Sequence, residues 1–142
     1  MRILLVFMLS ALIISCSKEK IIENKLAGTW NVNKVIIEDG EGFFFEDNFP
    51  FGKFEFSTSE KKCNALVEFE YMTYQNQTIS DLLVIDSTVY DFDEKIERLF
   101  LNDNQKSYDF RILLLTKTDL QLEYYDLVTF RLKRFILEKE EK

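Results

Sequence analysis

Cys16 and Cys63 are the only thiols in this 142-residue chain, and it contains no histidine. A Cys–His nucleophile pair therefore cannot form, and the side chains that usually hold zinc are all but missing. Acids are plentiful, with 25 Asp and Glu. Asp86, Asp91, Asp93 and Glu94 lack EF-hand loop spacing, and "YDFDE" reads more simply as a solvated turn than as a calcium site. Carboxylate pairs for glycoside chemistry are placed by fold rather than by sequence spacing, and in so acidic a chain coincidence is the simpler account of any pair. A Gly-rich phosphate loop, a G-x-S-x-G elbow and a zincin motif are all missing from the sequence. The expectation is a protein that is not an enzyme and that carries no metal or cofactor.

One thiol has a different chemistry in view. "MRILLVFMLSALIISC" places Arg2 before an apolar run from Ile3 to Ile14, which has the length of a secretory h-region and is too short to span a bilayer. Residues 1–15 are read as a signal peptide. Its end, Ile13-Ile14-Ser15-Cys16, resembles the bacterial lipobox, an aliphatic and a small residue before a cysteine. The resemblance implies cleavage before Cys16 and acylation of its thiol, with the lipid bilayer as partner. Each buried methylene contributes about 0.8 kcal/mol, so two or three acyl chains make a permanent anchor. It further implies the envelope of a Gram-negative bacterium and its outer membrane. "SKEK" after Cys16 matches only part of a surface-export signal, which leaves the leaflet open. Cys63 then has no disulfide partner and is expected as a lone thiol near a strand start.

The formal net charge is −7. Such a chain repels phosphate backbones, and Lys133 with Arg134 makes only a small basic cluster, so nucleic acid is not expected as a partner. Residues 16–25 read as the lipidated cysteine and a polar tether. Residues 26–142 read as one domain without linkers or repeats, long enough to bury about two thirds of its unfolded surface.

Within that domain the dominant period is two, with aromatic and β-branched residues between clusters of Asn, Asp, Ser and Gly. "KFEFS" sets Phe54 and Phe56 against Lys53 and Glu55, and "ALVEFEY" sets Ala65, Val67, Phe69 and Tyr71 against Leu66, Glu68 and Glu70. "TWNVNKVII" places Trp30, Val32 and Ile36 together, and "YDFRILLL" groups Tyr108 and Phe110. Strands are expected near 28–37, 51–57, 64–72, 79–90, 95–102, 107–116, 119–125 and 128–137, joined by short turns and therefore antiparallel. "DFDEKIERLFLND" is ambiguous. Asp91 and Glu94 could cap a helix carrying Ile96, Leu99 and Phe100, but a strand is favoured because a run of antiparallel strands closes more easily without a helix inserted.

Two stretches carry a family resemblance. "LAGTWNV", with Gly28 and Trp30 as G-x-W on the first strand, is similar to the opening motif of lipocalins and of lipocalin-like lipoproteins of Bacteroidetes type. "YDFRILLLTKTDLQLEYYDLVTFRLKR" resembles the closing strands of that family. The resemblance implies an all-β, eight-stranded antiparallel up-and-down β-barrel. In that family the Trp closes the bottom of the barrel and a basic residue of the last strand packs across it, for which Arg131 and Arg134 are the candidates. A long loop between the first two strands would fold over the open end, making Phe43, Phe44, Phe45 and Phe49 an apolar lid. Three adjacent phenylalanines cannot all point inward on a strand, so at least one should be exposed. "DST" at 86–88 resembles a Bacteroidetes O-glycosylation signal with Ser87 as acceptor, although an ordinary strand residue is the favoured reading.

Two functions follow as expectations. In the first, the barrel binds a small apolar ligand lined by Val32, Phe54, Phe56, Val67, Phe69, Tyr71, Phe110 and Tyr124, since eight strands enclose room for one small ligand. In the second, the same bulky residues fill the barrel, and the domain is a non-catalytic interaction or structural module of the envelope.

Overall fold

The computed structural model describes residues 19–93, 95, 97–102 and 106–141. Cys16 and the leader 1–15 lie outside them, as do Glu94 and Ile96. A helix, α1, covers 19–26, and nine strands follow. They are β1 (Gly28–Glu38), β2 (Phe44–Asp47), β3 (Phe51–Ser57), β4 (Lys62–Met72), β5 (Thr78–Asp93), β6 (Arg98–Asn102), β7 (Ser107–Leu115), β8 (Asp119–Asp126) and β9 (Arg131–Lys139). Every pairing is antiparallel, and β1 meets β3 on one side and β9 on the other. β1 and β3 to β9 thus close into the expected eight-stranded up-and-down barrel, with β2 a short additional segment on the β3 side of β1. The ambiguous segment is strand at 98–102, the favoured reading.

Period two does the sorting. Along β4, Cys63, Ala65, Val67, Phe69 and Tyr71 are buried while Leu66, Glu68, Glu70 and Met72 face out. β1 departs from strict alternation because its register to β9 shifts between Val32 and Lys34. That bulge changes the parity, so Val35 and Ile37 follow Trp30 and Val32 inward, and Ile36 is left only half-buried. Trp30, Phe54, Phe110 and Phe135 have no exposed surface, and each such side chain contributes about 1.5–3 kcal/mol by leaving water.

Three further features differ from expectation. The segment read as tether is helical over 19–26, with Leu26 fully buried and Ile22 packed on the core. Lys61 ties α1 to the β3–β4 turn through Glu23 at 2.7 Å. The last strand begins at Arg131 rather than 128, because Asp126 Oδ1 accepts the backbone N–H groups of Val128 and Thr129 and bends the chain there.

The third difference is the supposed lid. Residues 44–47 are not loop but β2, paired with the second half of β1. The hairpin tip is short, held by Asp39 Oδ1 accepting N–H groups from Glu41 and Phe43. β2 and β3 are one strand interrupted: from Asn31 to Val35 on β1 the partner runs back from Lys53 to Asp47. Pro50, which has no N–H to give a ladder, sits in the interruption.

Candidate functional site

Ring order places β3 opposite β7 and β5 opposite β9. Phe54 of β3 meets Phe110 of β7 edge-on at 6.1 Å between centroids, and Phe135 of β9 contacts both at 5.8 and 6.3 Å. Phe69 adds an edge contact to Phe135 at 6.1 Å. Rings from opposite walls therefore touch across the middle of the barrel. Of the residues expected to line a ligand site, Val32, Phe54, Phe56, Val67, Phe69, Tyr71 and Phe110 are all buried in this single cluster. Tyr124 is half-buried beside it, 5.2 Å from Phe110.

Above the rings the mouth is charged. Lys133, only 6% exposed, donates from Nζ to Asp81 Oδ2 at 2.7 Å and Asp126 Oδ2 at 2.8 Å. The first of these bonds crosses the full width of the barrel, β9 to β5. The ammonium also lies 5.7 Å from the Phe69 ring. Beside it the Arg131 guanidinium donates to the Tyr71 hydroxyl and stacks 5.0 Å from that ring. Burial alone would raise the Asp126 carboxyl, but hydrogen bonds from Lys133, Val128 and Thr129 outweigh it and hold the group down at about 2. Burial likewise works against the Lys133 charge, and the two aspartates overcome it, leaving its pKa above the ordinary lysine value.

Sequence reading passed over this cluster, although a signal was present. Lys133 shares the parity of Phe135 and Leu137, Asp81 that of Leu83 and Ile85, and Asp126 that of Leu120 and Leu122. Three charges on inward parities of three strands should be brought together by closure.

The expected lid residues separate. Phe45 turns inward and packs at 6.3 Å on Tyr71, while Phe43, Phe44 and Phe49 remain exposed, Phe49 to 94%. Phe43 stacks on Tyr74 of the β4–β5 turn at 6.3 Å, and β2 extends the wall instead of folding over the mouth.

At the other end Trp30 closes the barrel, its indole donating to the Leu26 carbonyl at 2.7 Å. The cation over the indole is Lys139, at 4.9 Å, rather than Arg131 or Arg134. Register explains this: Trp30 pairs directly with Lys139, whereas Arg131 is at the mouth and Arg134 pairs with Glu123 at 2.8 Å. Gly28 (φ +120°) makes room, since a Cβ there would come within 3.0 Å of Lys139 Cε. The contact contributes about 0.5–2 kcal/mol.

Cys63 lies near the start of β4 with no exposed surface, and burial pushes its thiol up to about 12. It is expected to stay unmodified by iodoacetamide at pH 8 until denaturant is added. Mass mapping of the Cys63 peptide reads this directly; rapid native alkylation would show that the site opens locally. Ser87 is exposed at φ +45°, in an irregular part of β5, with its hydroxyl donating to Asn64 Oδ1 at 3.1 Å.

On the outer wall a cleft of about 630 Å3 lies where β2 gives way to β3, lined by Asp47, Phe49, Phe51, Glu68, Glu70 and Leu82, among others. Asp47 bridges the gap, one oxygen accepting from Phe49 N and the other from Glu70 N, each at 2.8 Å.

No family model matches the chain, and no curated protein matches it. Among solved structures it is similar to a bovine odorant-binding protein, a deswapped triple mutant, at 13% identity and a TM-score of 0.38, covering 83% of this chain and 76% of that one. It is also similar to an odorant-binding protein named OBP1, at 12% identity and a TM-score of 0.40, covering 84% of this chain and 73% of that one.

Proposed function

We propose that the chain is a lipid-anchored, non-catalytic binding module of the Gram-negative envelope that works through its surface, its barrel being filled by its own side chains. The observation that carries the filled barrel is the contact of Phe54 with Phe110 from opposite strands, capped by the Lys133–Asp81 bond across the mouth. The anchor rests on the lipobox-like run ending at Cys16, and it puts the domain at a bilayer surface, probed by the outer membrane fraction carrying labelled palmitate. Label that is missing from the wild type, or that persists in Cys16→Ala, overturns the anchor.

The rival reading, a small apolar ligand inside the barrel, draws on the architecture, because eight strands enclose room for one such molecule. Here the ligand would have to displace Phe54, Phe110 and Phe135 from one another. Titration with cis-parinaric acid is expected to show no saturable fluorescence gain in the wild type. Stoichiometric binding competed by palmitate would sink the filled-barrel reading.

A further inference from the structure

The geometry points to the outer-wall cleft between β2 and the β3–β5 face as a binding site for a small organic cation bearing an aromatic or alkyl group. This deepens the surface-binding reading above and rests on it. The register sets the site out row by row. Phe51, Glu68 and Leu82 are consecutive partners across β3, β4 and β5, so one carboxylate stands between two apolar side chains on the outward face. Leu66 and Val84 form the next row below, and Glu70 with Ser80 the row above. Phe49 is 94% exposed, Phe51 73% and Leu82 51%, an apolar surface a water-soluble face has no internal reason to carry.

The charges decide the kind of ligand. Among the described residues, no lysine or arginine lines the cleft. Lys53, on the same face one row below, pairs with Glu55 at 2.5 Å, and Glu70 accepts only the Ser80 hydroxyl at 3.2 Å. Asp47 is satisfied by backbone N–H groups, and Asp81 by Lys133. Glu68 has no hydrogen bond or ion pair among the described residues. Glu68 and Glu70 thus offer negative charge beside exposed phenyl faces, and ring faces attract cations as well. A volume of about 630 Å3 suits a ligand of drug size.

The test uses the full chain in neutral dodecyl maltoside, titrated calorimetrically with 4-phenylbutylammonium, and with 4-phenylbutyrate and 4-phenylbutanol as matched anion and neutral controls. The ammonium is expected to bind saturably, one per chain, with affinity at least about tenfold above either control. Raising salt from 0.01 to 0.15 M, which shortens the screening length from about 30 to about 8 Å, should weaken it several-fold. Glu68→Gln with Glu70→Gln should weaken it about tenfold, and Phe51→Ser about fivefold, without moving the melting temperature, since these side chains face outward. Equal binding of the anion or the alcohol, or unchanged affinity in the doubly substituted Glu68→Gln, Glu70→Gln protein, overturns the proposal. A concentration-dependent dimer that Phe49→Ser with Phe51→Ser dissociates also overturns it, by giving the face to a second copy of the chain. Parinarate reports on the interior and the ammonium on the wall, so failure of one reading is not failure of the other.

Discussion

Gly52→Ala is expected to lower stability by about 3 kcal/mol or more, by summing backbone strain and overpacking. Gly52 has φ +148°, a conformation that side-chain-bearing residues rarely adopt, and a Cβ built there lies 2.1 Å from the Leu66 carbonyl oxygen and 2.6 Å from Val67 Cα. Those obstacles are backbone of β4, held in register with β3 below and β5 beyond, so no flexible side chain can swing away to relieve the clash. The close approach follows from the interruption at Pro50: β3 must enter the barrel at a kink directly against β4. Gly40→Ala is the control, because nothing lies within 4 Å of its Cβ position, and it should stay within about 0.5 kcal/mol of the wild type. Denaturant midpoints at constant slope measure both. A Gly52→Ala protein as stable as Gly40→Ala would mean that the β3–β4 junction is looser than described.

Gly52 also marks how far the barrel could be read in advance. Strands with clean alternation, such as Lys62–Met72, came through because parity alone separates their faces, and no distant partner can reverse it. Closure was suggested by G-x-W, and register supplied what the motif could not: the residue over Trp30 is its direct ladder partner Lys139, ahead of any arginine of the same strand. β2 escaped because four residues, two of them phenylalanines, carry too short a pattern to tell strand from loop. The helix at 19–26 escaped because its charged residues read as tether, while the burial of Leu26 depends on a barrel floor that exists only after β1 and β9 have met.

The interior was legible as apolar and the mouth was not. A lysine on an inward parity violates the pattern that defines a strand face, and such violations are tolerated only when other strands supply partners. Closure brings Asp81 from β5 and Asp126 from β8 to Lys133, so the three charges make sense together and none makes sense alone. By contrast, the filling of the barrel could not be decided from the same residues, because inward phenylalanines serve equally to line a cavity or to close one. The distance across the ring, 6.1 Å between Phe54 and Phe110, is what separates the two.

Lys133→Met should therefore cost about 2–3 kcal/mol, near the lower end for breaking a buried ion pair, since the carboxylates of Asp81 and Asp126 keep 24% and 15% of their side-chain surface in water. The cost comes less from the lost attraction than from two partly buried carboxylates left facing each other. Adding Asp81→Asn and Asp126→Asn should recover at least half of it, because the new amide at position 126 keeps an oxygen for the N–H groups of Val128 and Thr129. The pH dependence should also change sign. In the wild type Asp126 is held at about 2, below its ordinary 3.8, so its contribution is full above pH 3.8 and is lost as pH falls toward 2. Allowing for solvent screening, that loss is about 1 kcal/mol. Without Lys133 the remaining partners of the two carboxylates are backbone N–H groups, Val128 and Thr129 for Asp126 and Leu82 for Asp81, with Arg131 engaged by Tyr71, and burial with repulsion from the facing carboxylate lifts Asp126 above its unfolded value. A group raised in the folded state stabilises below its unfolded pKa and loses that contribution as pH rises through the folded one. The variant should accordingly gain on the wild type as pH is lowered from 7 to 4, read from urea midpoints at each pH. Parallel profiles for the two proteins, or a Lys133→Met cost below about 0.5 kcal/mol, would place the ammonium in water and remove the charged plug from the barrel mouth.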